Sequence, residues 1–460
     1  MIIYACMVPH PPLAVPEIGN GSERQISDTL HSYEAIADRI AALRPETIVL
    51  STPHSTMYAD YFLISPGTHA HGDFGQYGHP EVSFEEDYDQ EFTRRLSEHC
   101  EDENISAGTD YERNPNLDQG TMVPLYYINQ KYTDYKLVRV ALSGQSLTEH
   151  YRLGQQTQKT ADELGRRVVY VASGDLSHCQ LKSGPYGLHP EGPEYDKRIM
   201  KTMGSADFGE LFSYDNAFLE KAEECGHRSF VIMAGALDGK KVVPHVLSHE
   251  ATFGVGYGFV SYEIAGDDPD RHFLEKYEEK VRKNTGNDTD PYVRLARSSV
   301  ESWVKSRRKI TAPTDIPDEM KNTRAGAFVS IHEFGDLRGC IGTIGPTKKN
   351  VADEIISNGI SACSRDPRFS PVRPEELPYL EISVDVLSPA ERIDSPDELD
   401  VKRYGVICST PDGRRGLLLP DLDGVDSVQQ QINIACRKGG IDPDDPELIL
   451  ERFEVVRHEH

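Results

Sequence analysis

The stretch Ile2-Ile3-Tyr4-Ala5-Cys6-Met7-Val8-Pro9-His10-Pro11-Pro12 decides how the chain begins. Ile2–Met7 is an apolar run of strand length. It stops at prolines, which cannot continue a central strand, so the His10 imidazole is delivered on a loop at the strand's end. The pattern recurs at Thr47–Ser51, which runs into Thr52-Pro53-His54-Ser55. In an α/β sheet this edge is where ligands bind. If the two strands are parallel neighbours, His10 and His54 converge and offer a metal ion two neutral nitrogen donors.

Between these strands Ile26, Leu30, Tyr33, Ile36, Ala37 and Ile40 recur at helical spacing, which predicts a helix over about 24–43. Phe62–Ile64, Lys136–Leu142, Arg167–Ala172, Val242–Leu247 and Tyr257–Ile264 are further strand candidates. Helices are expected at Asp87–Glu98, Leu147–Leu164 and His227–Leu237. The alternation predicts an α/β domain over residues 1–265, a central sheet with helices on both faces. Residues 266–288 turn polar and read as a linker carrying a short solvated helix. From 289 to 460 the helices expected at Val351–Cys363 and Val425–Arg437, with strands at Ala327–His332, Leu380–Leu387 and Leu417–Leu419, make a separate α+β domain.

At 460 residues the chain is too long for one ordinary core. Lys+Arg 49 against Asp+Glu 75 gives a formal charge of -26, which repels phosphate backbones and anionic lipid. Neither direct nucleic-acid binding nor membrane association is expected. With no basic leader and no run of 18 apolar residues, a cytoplasmic location is expected. The eight cysteines form no CxxC pair, which signals neither a zinc knuckle nor a disulfide framework. Of the histidines, only His332, His458 and His460 lie beyond His272, so metal or acid–base chemistry belongs to the first domain.

Three more segments complete a constellation. Val169–Ala172 runs into Ser173-Gly174-Asp175-Leu176-Ser177-His178, a strand that ends in a small-residue turn and a histidine. Glu223-Glu224-Cys225-Gly226-His227-Arg228 stands just before an apolar helix, and Leu117-Asp118-Gln119-Gly120-Thr121 precedes another. Two imidazoles and a carboxylate with open positions are the donor set of oxygen-activating non-haem Fe(II) sites. Asp175 either caps its turn or supports a ligand histidine. His69, His71 and His79 fall in the Gly-rich stretch Gly67–Pro80 and are expected on a mobile loop over the site.

The PHPP start, the PHS loop, the SGDLSH turn, the LDxGxxVPL segment and Phe253-Gly254-Val255-Gly256-Tyr257-Gly258 resemble the class III extradiol ring-cleavage dioxygenases (LigB type), a superfamily that includes the Memo-type proteins. The resemblance spans roughly residues 1–264. It implies Fe(II), or another divalent metal such as Zn or Cu, held by His10, His54 and a third ligand, with His178 as acid/base. Ring-cleaving members supply a glutamate as third ligand and Memo-type members a cysteine. This chain has both, Glu224 and Cys225, and the Cys-Gly-basic pattern favours Cys225. Gln119 stands where related members commonly carry a histidine, so it keeps hydrogen bonding but has no titratable proton.

Leu337-Arg338-Gly339-Cys340-Ile341-Gly342, Ser364-Arg365-Asp366-Pro367-Arg368-Phe369 and Gly416-Leu417-Leu418-Leu419-Pro420 resemble the AMMECR-type domain. Arg338 and Arg368 are long cations in an acidic chain, and Gly339 with Gly342 permits close approach by a small anionic ligand. Alternatively Arg338 pairs with a carboxylate such as Asp366 and the glycines serve packing. Cys340 is a nucleophile on one reading and a core residue on the other. The fusion of both halves resembles the AmmeMemoRadiSam system protein A architecture, which implies a radical-SAM partner protein. Three functions follow as expectations: an Fe(II)-dependent dioxygenase-like oxidoreductase acting with dioxygen on a small hydroxylated aromatic molecule; a Memo-type metal-binding redox accessory that opens no ring; and an AMMECR-centred binding or scaffold protein. A homo-oligomer is compatible with each.

Overall fold

The computed structural model describes residues 1–286, 288–422 and 424–459. The chain divides into two compact units, Met1–Tyr277 and Glu278–His460.

The first unit is built on six strands: β1 (Ile2–Val8), β2 (Thr47–Thr52), β5 (Lys136–Ala141), β6 (Val168–Ser173), β7 (Lys240–Glu250) and β8 (Tyr257–Asp267). The labels β3 (His69–Phe74) and β4 (His79–Asp87) belong to a separate hairpin. The sheet order is β5-β2-β6-β1-β8-β7, parallel from β5 to β1 and antiparallel at β8 and β7. β2 and β6 are buried along their whole length because helices cover both faces. Side chains alternate between two cores. Ala5, Met7, Val49, Tyr170 and Ala172 point to one face. Tyr4, Cys6, Val8, Ile48, Leu50, Val169 and Val171 point to the other.

Six helices cover the faces: α1 (Ser27–Leu43), α2 (Gln90–Asp102), α3 (Gln119–Asn129), α4 (Leu147–Glu163), α5 (Glu191–Ser205) and α6 (His227–Ala236). In α1 the predicted stripe Tyr33, Ile36, Ala37 and Ile40 is buried beside α3, and the helix stops at Arg44 in the left-handed conformation. α2, α4, α5 and α6 supply the opposite core through Phe92, Tyr151, Tyr195 and Phe230. α5 carries no expectation from the sequence, since a polar face and a proline at its third position, Pro193, mask its apolar stripe.

β1 and β2 are parallel but not neighbours, because β6 lies between them. Val8 is level with Ser173, and Ser51 with Ala172, so all three strands end at one height. The intervening strand is the one that ends in the SGDLSH turn. Phe62–Leu63 pairs with Ala107–Gly108 in a ribbon of its own, which an Ile64–Val140 bridge ties to the edge strand β5. The Gly-rich stretch expected as a loop is the β3–β4 hairpin, where His69 pairs with Asp87, His71 with Glu85 and His79 with Glu81. The segment read as a linker holds a regular helix, Phe273–Asn284. Among the described residues no helix is long and apolar enough to cross a membrane.

The second unit has two four-stranded sheets, with helices Pro291–Ser306 and Val351–Ser364 packed on the first and Val428–Gly439 on the second. The LRGCIG hexapeptide lies on a strand, Asp336–Gly342, whose glycines and arginine hide its extended pattern.

Candidate metal centre

His10 is 1% exposed and is held at two points. Its backbone N–H donates to Asp175 Oδ1 at 2.7 Å. Its Nδ1 lies 3.0 Å from Ser173 Oγ, and that hydroxyl spends its single proton on the Gly120 carbonyl at 2.6 Å. Ser173 Oγ can therefore only accept from the ring, which places the proton on Nδ1 and leaves the Nε2 lone pair bare. Burial, then the neighbouring His54, holds the His10 imidazole well below its ordinary pKa, so it is neutral.

The bare Nε2 of His10 faces His54 Nε2 at 2.8 Å. Gln119 Nε2 lies 3.3 Å from the same His54 atom, and the Gln119 carbonyl accepts from the Tyr77 hydroxyl. With the NH2 of that amide toward His54, the ring accepts at Nε2 as well. Two lone pairs at 2.8 Å repel unless a cation lies between them.

Cys225 Sγ lies 3.6 Å from His10 Nε2. The Asp175 N–H donates to this sulfur at 3.3 Å, a contact that favours a thiolate. Burial, with Asp175 and Glu224 nearby, raises the thiol well above its ordinary pKa when no cation is present. His10, His54 and Cys225 form a group whose donor atoms all lie within 4.8 Å of one another. Glu224 is turned away: its Oε2 accepts from the His227 N–H at 2.6 Å, and burial pushes its carboxyl up to about 7. The two adjacent residues, both in the turn ahead of α6, thus point apart.

Asp175 both accepts from His10 N–H and places Oδ2 3.9 Å from the Nε2 atoms of His10 and His178. Burial raises its carboxyl above the ordinary range and lowers the His178 imidazole. His178 stacks on Tyr186 with ring centroids 5.1 Å apart.

Four residues without a role in the sequence reading hold the site. Ser173 sets the His10 tautomer and the Tyr77 hydroxyl bonds the Gln119 amide. Thr52 Oγ1 donates to Asp118 Oδ1 at 2.6 Å, joining the end of β2 to the cap of α3. Arg139, fully buried, donates to Ser65 Oγ and the Asn116 carbonyl at 2.7 Å each and lies 3.6 Å from Asp118. A lone cation inside the apolar strand Lys136–Ala141 is the signal that could have found it.

In the second unit Arg338 does pair with a carboxylate, but with Glu376 at 2.6 Å rather than Asp366. Asp366 instead binds Arg368 at 2.7 Å and accepts from the Cys340 N–H at 2.9 Å. A methyl on Gly339 would lie 2.4 Å from the Ala362 carbonyl and one on Gly342 inside the Phe328 ring, so both glycines serve packing. The Cys340 thiol is half-buried, 3.2 Å from Ser330 Oγ, and burial raises its pKa.

Comparison with known proteins gives two family matches. Residues 4–260 match the catalytic LigB subunit of aromatic ring-opening dioxygenase, and residues 293–458 match AMMECR1. Protein CA_C1420 of Clostridium acetobutylicum is 41% identical over 98% of both chains. A Thermotoga maritima protein is 47% identical over 36% of this chain and 97% of its own. Among solved structures, the uncharacterized protein PH0010 of Pyrococcus horikoshii covers 36% of this chain and 88% of its own at 31% identity, with a TM-score of 0.34. The uncharacterized protein JW3007 of Escherichia coli K12 covers 56% and 99% at 15% identity, with a TM-score of 0.36. With the first match spanning more than half the chain and a full-length relative at this identity, the chain belongs to the LigB family, here fused to an AMMECR1 domain.

Proposed function

We propose that the first domain is a metal-dependent oxidoreductase centre in which His10, His54 and Cys225 hold a divalent metal ion, Fe(II) first and Cu or Zn as alternatives. The observation that carries this reading is the bare-lone-pair contact of His10 Nε2 with His54 Nε2 at 2.8 Å, with Cys225 Sγ 3.6 Å from the first. These separations are ones that metal–ligand bonds of about 2 Å can span. When bound, such an ion would supply Lewis acidity and, as Fe or Cu, one-electron chemistry toward a small hydroxylated molecule and dioxygen.

The chain's own groups do the rest. Asp175 fixes His10 through its backbone. His178, neutral in its buried position, accepts the proton of a substrate hydroxyl at Nε2, and Asp175 stabilises the imidazolium that results. Gln119 offers its amide to a bound oxygen atom but moves no proton.

A second reading, a redox accessory that works with a radical-SAM partner and opens no ring, is favoured by the sulfur donor and by Gln119. Thiolate suits softer ions, and an amide cannot shuttle protons. Anaerobic reconstitution with Fe(II), followed by oxygen uptake with catechols, separates the two. Uptake that vanishes in His178→Ala while iron stays bound supports ring opening. Stoichiometric metal without uptake supports the accessory. Failure of the full chain to bind iron, copper or zinc at His10, His54 and Cys225 overturns both.

A further inference from the structure

A second set of donor side chains stands beside the first and shares no residue with it. Cys179, His189 and Glu223 bring a sulfur, an imidazole nitrogen and a carboxylate oxygen to within 4.8 Å of one another. Two of them bracket the segment 180–188, and the third lies on the turn ahead of α6.

Backbone hydrogen bonds pin the frame. The Cys179 N–H donates to Ser177 Oγ at 3.0 Å, the His189 N–H to the Cys179 carbonyl at 3.2 Å, and the His178 N–H to the Glu223 carbonyl at 3.3 Å. The ring of His189 has a defined tautomer. Its Nδ1 lies 3.0 Å from the Lys221 carbonyl, which only accepts, so Nδ1 carries the proton and Nε2 presents its lone pair. This is the arrangement in which a ligating histidine is oriented by a backbone carbonyl.

The geometry points to a second metal site, formed by Cys179, His189 and Glu223 and taking a zinc-class divalent cation, that clamps the segment 180–188 against the turn before α6. Sulfur, imidazole and carboxylate together are a zinc-type donor set, and three protein ligands leave a fourth position for water. A clamp is what this segment lacks. Leu181, Tyr186 and Leu188 are 39%, 53% and 40% exposed, so little apolar burial holds it. The Gln180 N–H donates to the Gly254 carbonyl at 3.0 Å, and Gln180 bridges to Leu188. Yet the segment carries Tyr186, whose ring stacks on His178. A cation joining its two ends to Glu223 removes loop freedom and so holds Tyr186 over the acid/base candidate. The site stands on its own donors and does not require the first centre to be loaded.

The test uses the full chain stripped of metal and titrated with Zn(II), bound metal being counted after desalting. Wild type is expected to take two equivalents, His10→Ala/His54→Ala one, and His189→Ala one. In the His10→Ala/His54→Ala background Co(II) should give a thiolate charge-transfer band that Cys179→Ser abolishes. In that same background Zn(II) should slow tryptic cleavage after the exposed Lys182 several-fold. His189→Ala and Glu223→Gln replace groups whose backbones are held independently, and an unchanged melting curve establishes that they fold. No equivalent bound by His10→Ala/His54→Ala, the wild-type stoichiometry retained by both His189→Ala and Glu223→Gln, or cleavage indifferent to zinc overturns the proposal.

Discussion

Gly174 and Gly226 meet backbone to backbone: a methyl on Gly174 would fall 2.1 Å from the Gly226 Cα. This contact presses the turn that carries Asp175 and His178 onto the turn that carries Cys225. It is the reason a residue near position 225 lies beside one at position 10.

Gly174→Ala should force these turns apart. Overpacking of this kind costs about 1–3 kcal/mol, to be measured by urea denaturation of the metal-free chain. The same variant should weaken metal binding although it touches no donor atom. Unchanged affinity in a destabilised variant would show that the turn contact does not position Cys225.

Ser173→Ala removes the acceptor that keeps the proton on His10 Nδ1. Loss of such an orienting partner weakens metal affinity by about 10–100-fold. His10→Ala and His54→Ala should go further and abolish binding at this centre. Competition titration against a chelator reads all three. A Ser173→Ala dissociation constant equal to that of wild type would sink the tautomer argument.

Glu224 gives a pH signature in the metal-free chain. Its carboxyl titrates at about 7 in the fold against an ordinary value of 4.5, because burial disfavours the charged form. Between those values the folded state binds more protons than the unfolded one, so stability falls as pH rises. The contribution is fully present below the unfolded value and gone above about 7. Its size is on the order of 3 to 4 kcal/mol. Glu224→Gln keeps an acceptor for the His227 N–H and cannot ionise. The stability difference between wild type and Glu224→Gln should therefore shift against wild type from about pH 5 to about pH 8. A difference independent of pH would mean that Glu224 is ionised throughout.

The strands and both imidazole loops were legible because apolar runs ending in proline are local signals. Which strand neighbours which is not local. β6 inserts between β1 and β2 through a crossover that leaves no mark in either strand. The preference for Cys225 over Glu224 came from the family resemblance and not from a local signal, since it depends on how the turn before α6 packs at Gly226 against Gly174. Ser173 stood in the quoted SGDLSH turn, yet its role follows only from the Gly120 carbonyl that takes its proton. The Arg338 partner was misassigned for a related reason: Asp366 is closer in sequence, but Arg368, two residues from it, binds it first.

That last pair carries a prediction for the second domain. Arg338 and Glu376 form an ion pair at 2.6 Å with side chains 16% and 8% exposed, and Arg338 also donates to the Ser370 carbonyl. Removing one partner of a buried pair strands the other charge, at a cost of about 3–5 kcal/mol. Arg338→Ala should lower the unfolding free energy by that margin, since Glu376 then keeps only Arg373, whose backbone N–H donates at 2.7 Å and whose side chain, 61% exposed, lies at 3.3 Å. Arg338→Met/Glu376→Leu, which removes both charges and refills the volume, should recover most of the loss. If Arg338→Ala is as stable as wild type, Arg338 is not committed to Glu376 and is free to meet an anionic ligand.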